Sequence, residues 1–268
     1  MNSHGRLRTI EGRHNTLVKE LRAAFSHGEL TSDGYCAIEG IRIIEEAIRS
    51  GLKFHAVFFS KSGENKSERL LPQLAAYVET LLLPDKLFAS AVPSETPQGV
   101  AALVKCRQFT LDDILTRIQT GPLLAIAGVQ DPGNLGTMLR SAEAFGACGV
   151  ALGDGTANPF NSKVVRASAG SVFRIPIVRI NLPKILATLR ENKLRLFATS
   201  SHKGTPVHEI IFAAPLAIFI GSEGAGLSRD LISEMDEMIA VPHSPNVESL
   251  NAGVAASIVL YEVARQQR

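Results

Sequence analysis

A two-part α/β architecture is predicted by three features of this sequence. Short apolar runs alternate with stretches of helical spacing along nearly the whole chain. Two of those runs, residues 123–129 and 216–220, are continuously apolar, as strands buried on both faces of a parallel sheet are. A polar interval at residues 106–113 separates two such α/β series, and 268 residues suffice for two domains. The expected division is a first α/β domain over residues 1–105, a linker over 106–121 and a second domain over 122–268.

In the first part, residues 15–26 have helical spacing, with Leu17, Val18, Leu21 and Phe25 able to share a face. A strand at 35–38 leads into a helix at 40–49 that turns Ile41, Ile44 and Ile48 inward. Residues 54–59 read as a buried strand, 67–77 as a helix and 78–83 as a strand. Pro93, Pro97 and Gly99 interrupt the pattern before a last strand at 100–104. Within the linker, residues 111–118 have helical character.

The second part opens with the strand at 123–129, the turn Gln130-Asp131-Pro132-Gly133-Asn134 and a helix over 135–145 stopped by Gly146. Strands are expected at 150–152, 173–178, 194–199, 216–220 and 238–241, with helices at 162–169, 182–191 and 230–235 between them. Strands alternating with helices in this way predict a parallel sheet covered on both faces. Pro242, Pro245 and Asn246 keep the next stretch out of any helix, and Ser249 stands where an N-cap would. The final helix begins with small residues, Ala252-Gly253-Val254-Ala255-Ala256, which allow another backbone to approach closely.

Composition narrows the class. Apolar residues make up 45% and charged residues 20%, the balance of an ordinary globular protein. No apolar run approaches the roughly 20 residues needed to span a bilayer, and residues 1–6 lack the apolar core of a signal peptide. Cys36, Cys106 and Cys148 are isolated, without metal-type spacing, so no metal is expected and a reduced, cytoplasmic setting fits. A net charge of +2 is too small to indicate nucleic acid alone. Arg6, Arg8, Arg13, Lys19 and Arg22 nevertheless crowd the beginning, either as an RNA-gripping edge or as a solvated helix face.

In an open parallel sheet, ligands bind beyond the carboxyl ends of the strands. Three stretches of unusual composition fall there. The first runs from Asn134 through Gly136 and Arg140 to Phe145-Gly146. The second is Gly221-Ser222-Glu223-Gly224-Ala225-Gly226-Leu227, whose glycines let the backbone turn sharply and approach a ligand. Its G-x-x-G-x-G order, after a late strand, is not a dinucleotide-binding fingerprint. The third is Val241-Pro242 followed by Ser249-Leu250-Asn251.

Together these stretches resemble the three signature motifs of the SpoU/TrmH family of RNA ribose 2′-O-methyltransferases, in the SPOUT superfamily. The resemblance covers residues 123–265. The first part, with Ile38-Glu39-Gly40 opening a helix, is similar to the RNA-binding substrate domain that many members carry. The resemblance implies a SPOUT-type parallel sheet closed by a C-terminal trefoil knot. It also implies S-adenosylmethionine as cofactor, a homodimer with sites at the interface, and transfer of a methyl group to a ribose 2′-hydroxyl of RNA. Ribosomal RNA of the 23S class is preferred, with transfer RNA or a catalytically silent ribosome-assembly role as alternatives. Gly221, Gly226, Val241 and Leu250 map onto cofactor-binding positions. Asn134, Arg140, Glu223, Ser249 and Asn251 map onto the polar active-site positions. The family often has methionine and glycine where His243 and Pro245 stand.

Overall fold

The computed structural model describes residues 6–94 and 96–267. Residues 1–5, which carry most of the signal-peptide reading, lie outside them. The chain divides into two compact units, one of Met1–Arg107 with Asn158–Phe173, the other of Gln108–Ala157 with Arg174–Arg268.

The first unit contains β1 (Arg8–Thr9), α1 (Thr16–His27), β2 (Tyr35–Glu39), α2 (Ile41–Arg49), β3 (Lys53–Ser60), α3 (Lys66–Leu70), β4 (Glu79–Leu83), α4 (Asp85–Ala91) and β5 (Val100–Lys105). Its sheet has the order β1-β4-β3-β5-β2, with β5 antiparallel to both neighbours. Asn15 caps α1 by accepting the N–H groups of Leu17 and Val18. Three local expectations change. The helix expected over 67–77 ends at Leu70 and tightens into a 3-10 turn over Leu71–Gln73, because Pro72 has no N–H with which to continue the ladder. Helix α2 buries Ile43, Ile44 and Ala47, while Ile41 and Ile48 stay half-buried, so its apolar face is turned from the expected one. Helix α4 and the two-residue β1 were not expected; both are too short for a periodicity to show.

Several basic residues near the beginning are already engaged in this unit. The Arg6 guanidinium donates to the carbonyls of Leu71, Leu74 and Ala75, Arg22 donates to Ser90, and Arg8 pairs with Glu79 at 3.0 Å.

The second unit begins with α5 (Leu111–Leu115), whose Thr110 and Asp113 form a reciprocal capping box. Ile114 and Ile118 pack into this unit's core, so much of the stretch read as a linker belongs to the packing. There follow β6 (Leu123–Ile126), α6 (Pro132–Ala144) and β7 (Gly149–Leu152). Helix α7 (Ser162–Ala167) packs with the first unit: the buried Glu39 carboxylate approaches Arg166 at 3.9 Å. The chain returns with β8 (Ile177–Arg179), α8 (Leu182–Glu191), β9 (Arg195–Ser200), β10 (Thr205–Pro206), β11 (Leu216–Ile220), α9 (Arg229–Ser233), β12 (Glu237–Ala240) and α10 (Ala252–Gln267).

These strands form one wholly parallel sheet in the order β10-β12-β9-β11-β6-β7-β8. Every residue of β6 and β11 is buried. Each Leu, Ile or Phe buried there contributes about 1.5–3 kcal/mol. From β6 the chain builds outward through β7 and β8, then crosses to the other side for β9. The sheet therefore reverses direction between β6 and β11, the position at which open α/β sheets form a crevice.

Candidate active site

A cleft of about 360 Å³ opens beyond the carboxyl ends of β9, β11 and β12. Gly221, Gly226, Val241 and Leu250, the four expected cofactor-binding residues, all line it. Glu223 and Ser249 line it too. The loop after β11 is folded tightly on itself: Gly226 N donates to Ser222 O at 2.9 Å, and Ser222 and Gly226 form an isolated antiparallel bridge. A Cβ on Gly221 would lie 2.1 Å from the Gly226 carbonyl carbon, so no other residue fits there. This close turn leaves a smooth backbone wall beside an apolar floor of Ile220, Leu227, Ile239 and Val259. Backbone edges over apolar floors suit a flat heterocycle with an aliphatic tail, as S-adenosylmethionine is.

Asn134 and Asn251 are joined to that wall by a directed chain of hydrogen bonds. Asn251 Oδ1 accepts the Val254 N–H at 3.1 Å, which turns its amide nitrogen outward. That nitrogen donates to Asn134 Oδ1 at 2.8 Å, and Asn134 Nδ2 donates to Glu223 Oε1. The direction is set at one end by the start of α10, whose backbone can only donate, and at the other by a carboxylate, which accepts. One residue from each of the three stretches thus enters a single polar relay. Asn134 is itself held by Asp131, which caps α6 by accepting the Asn134 N–H at 2.7 Å.

One expectation is corrected. Ser249 does not cap α10: Asn251 does, and Ser249 is left exposed at the cleft. A Ser or Asn before the helix could each cap it, and the register of Val254 selects Asn251. Arg140 does not join the relay. It lies six residues beyond Asn134, about 9 Å along α6 and about 240° around it. Its side chain is exposed, and among the described residues it has no hydrogen-bond or ion-pair partner.

The stretch after β9 went unnoticed in the sequence, yet Thr199, Ser200, Ser201 and Lys203 line the cleft. The strand lies between β11 and β12, so its outgoing loop reaches the same crevice. The available signal was the run Ser200-Ser201-His202-Lys203-Gly204, polar and glycine-ended at a strand's carboxyl end.

None of the three cysteines lines the cleft. All three cysteines are buried, and burial pushes the Cys148 thiol up to about 12. Among the described residues no group of His, Cys, Asp and Glu is arranged to hold a metal ion.

The SpoU rRNA Methylase family matches residues 122–261, the span that contains the cleft and all three stretches. The chain belongs to this family. An MRM3-like substrate binding domain matches residues 15–102. Among relatives of the SpoU chain, the 23S rRNA (guanosine(2553)-2′-O)-methyltransferase RlmP of Bacillus subtilis is 34% identical over 96% of this chain and 99% of its own length. The AdoMet-bound rRNA methyltransferase from Sinorhizobium meliloti superposes with a TM-score of 0.82 at 27% identity, over 97% of this chain and 98% of that one. The SpoU methyltransferase AviRb from Streptomyces viridochromogenes, in complex with AdoMet, gives 0.81 at 26% identity, over 95% and 98%.

Proposed function

We propose that this chain transfers the methyl group of S-adenosylmethionine to a ribose 2′-hydroxyl of 23S ribosomal RNA. In this reading it acts as a cytoplasmic homodimer whose first unit grips the RNA. The observation that carries the reading is the meeting of the second and third signature stretches at one cleft, with the first joined to them through the Asn251–Asn134–Glu223 relay. The full-length likeness to a 23S ribose methyltransferase supports the choice of RNA.

The cofactor supplies a methyl group on a sulfonium sulfur, already strongly electrophilic, so the chain's task is placement and charge stabilisation. Gly221, Gly226, Val241 and Leu250 line the cleft wall and would hold the cofactor there. Asn134, Asn251 and Ser249 orient the ribose beside Glu223. A guanidinium carries only donors, so Arg140 stabilises the developing 2′-alkoxide or holds the neighbouring phosphate rather than taking the proton itself.

The homodimer gives Arg140 a destination. Along α10, Val254, Ile258 and Tyr261 share one face and remain 46%, 36% and 54% exposed. An apolar stripe of this kind marks an interaction surface. It sits on the helix that packs most closely on α6, through Ser141–Ser257 at 2.6 Å and Phe145 edge-on to Tyr261. A second copy seated on that face brings the unpaired Arg140 to its partner's cleft. The trefoil knot expected of the family belongs to this reading, with the chain between β12 and α10 as the tucked segment.

The test is incubation with labelled S-adenosylmethionine and unmodified 23S and transfer RNA, followed by nucleoside analysis. Label in a 2′-O-methyl nucleoside of 23S RNA is expected. Label in transfer RNA alone changes the substrate, and label on a base overturns the ribose chemistry.

A further inference from the structure

The charges around the cleft are sparse and unequally placed. Of the residues lining it, Lys203 alone carries an ammonium and Glu223 alone a carboxylate. They stand on loops from different strands, Glu223 after β11 and Lys203 after β9, with the glycine-rich turn on the Glu223 side. Glu223 is already engaged by Asn134. Among the described residues, Lys203 has no carboxylate partner.

The loop that carries Lys203 is fixed in place. Ser200 Oγ accepts the N–H groups of His202 at 3.4 Å and Lys203 at 3.1 Å, folding the chain back immediately after β9. Gly204, with φ +113°, lies so close to β12 that a Cβ there would meet the Met238 carbonyl oxygen at 2.3 Å. The His202 ring stands 6.0 Å from that of His243, whose Nδ1 is tied to the Val241 carbonyl at 2.9 Å. The Lys203 backbone is therefore held at the rim of the cleft by contacts on both sides, and a long flexible ammonium is left to find an anion.

We propose that Lys203 anchors the α-carboxylate of the cofactor's methionine moiety, a specificity contact set opposite Glu223. The inference rests on the reading that this cleft takes S-adenosylmethionine. The amino-acid end of that molecule is a zwitterion next to a sulfonium, with one negative and two positive centres. Placing the carboxylate at Lys203 leaves the ammonium and sulfonium toward the Glu223 side, where Asn134 and Asn251 gather the ribose-orienting groups. The reverse orientation sets the cationic centres against Lys203 and the carboxylate against Glu223. One lysine thus fixes which way the methyl-bearing end points.

Calorimetric titration of the full chain with S-adenosylmethionine and with its decarboxylated analogue separates the carboxylate contact from everything else. Lys203→Met keeps the stem and removes the charge. It is expected to weaken the parent cofactor by about tenfold, the order of a hydrogen bond to a charged group, and to leave the decarboxylated analogue unchanged. Lys203→Arg is expected to restore the difference. Equal weakening of both ligands, or of neither, overturns the role of Lys203. If the unaltered chain binds neither ligand, the assignment of the cleft to S-adenosylmethionine falls first, and the proposal with it.

Discussion

The two sheets are built from the same alternation of strand and helix, yet their carboxyl ends differ. In the first unit that edge is sewn shut. The antiparallel β5 begins there, so its lead-in meets the outgoing ends of β2 and β3. Ser60 N donates to Gly99 O at 3.0 Å, Gln98 N donates to Glu39 at 2.7 Å, and Asp85 accepts from Ser62 at 2.9 Å. A Cβ on Gly63 would lie 2.3 Å from the Gly99 oxygen, so the two loops touch backbone to backbone. In the second unit no strand runs backward, every loop at that edge is outgoing, and a crevice opens beyond β9, β11 and β12. One antiparallel strand separates a closed edge from a binding cleft.

The sharpest way to break this contrast is a methyl group placed on a glycine of each edge. Gly221→Ala and Gly63→Ala should each cost about 2 kcal/mol or more from overpacking, read by denaturant unfolding. Only Gly221→Ala should abolish cofactor binding; loss of binding in Gly63→Ala would mean the closed edge is not merely structural. Next in size, Arg140→Ala should keep cofactor affinity and lower methyl transfer by about 100-fold or more, the cost of removing a donor aimed at developing charge. Unchanged turnover would remove Arg140 from the chemistry.

Much of the second unit was legible in the sequence because its strands are continuously apolar and its motif residues are individually unusual. Helix α8 and strand β11 fall at their expected bounds. The loop after β9 was not legible, since serine, histidine and lysine in a loop are ordinary until the strand order shows what they face. Packing hid other features. Asn158–Phe173 follows β7 in the chain but packs with the first unit, through Phe160, whose carbonyl faces the Cys36 thiol, and Arg166 beside Glu39. Removing residues 1–105 would strand that segment, so the chain has no clean cut between its halves. Arg140 was legible as a residue type, but its distance from Asn134 follows only from helical geometry.

Smaller effects sharpen the picture of the C-terminal helix. Asn251→Ala removes the cap of α10 and leaves Asn134 without its donor. A loss of about 1 kcal/mol is expected in unfolding experiments, with a larger drop in methyl transfer than in cofactor affinity. Equal losses would reduce the relay to a structural clasp. At the other end of α10, hydrogen bonds from Arg265 and then Gln266 pull the Glu262 carboxyl down from 4.5 to about 2. A depressed carboxylate contributes stability that is present above its unfolded value and is lost as pH falls through the folded one. Glu262→Gln should therefore flatten the loss of stability between about pH 4.5 and 2, measured by thermal unfolding across that window. An unaltered acid limb would place the sensitivity elsewhere.

The most direct measurement is backbone hydrogen exchange of the full chain with and without S-adenosylmethionine. Slower exchange confined to residues 199–203, 221–227 and 241–251, with residues 60–63 and 98–99 unchanged, is the expected result. Protection at the closed edge of the first sheet, or none around Gly221, would contradict the placement of the cofactor in the cleft of the parallel sheet.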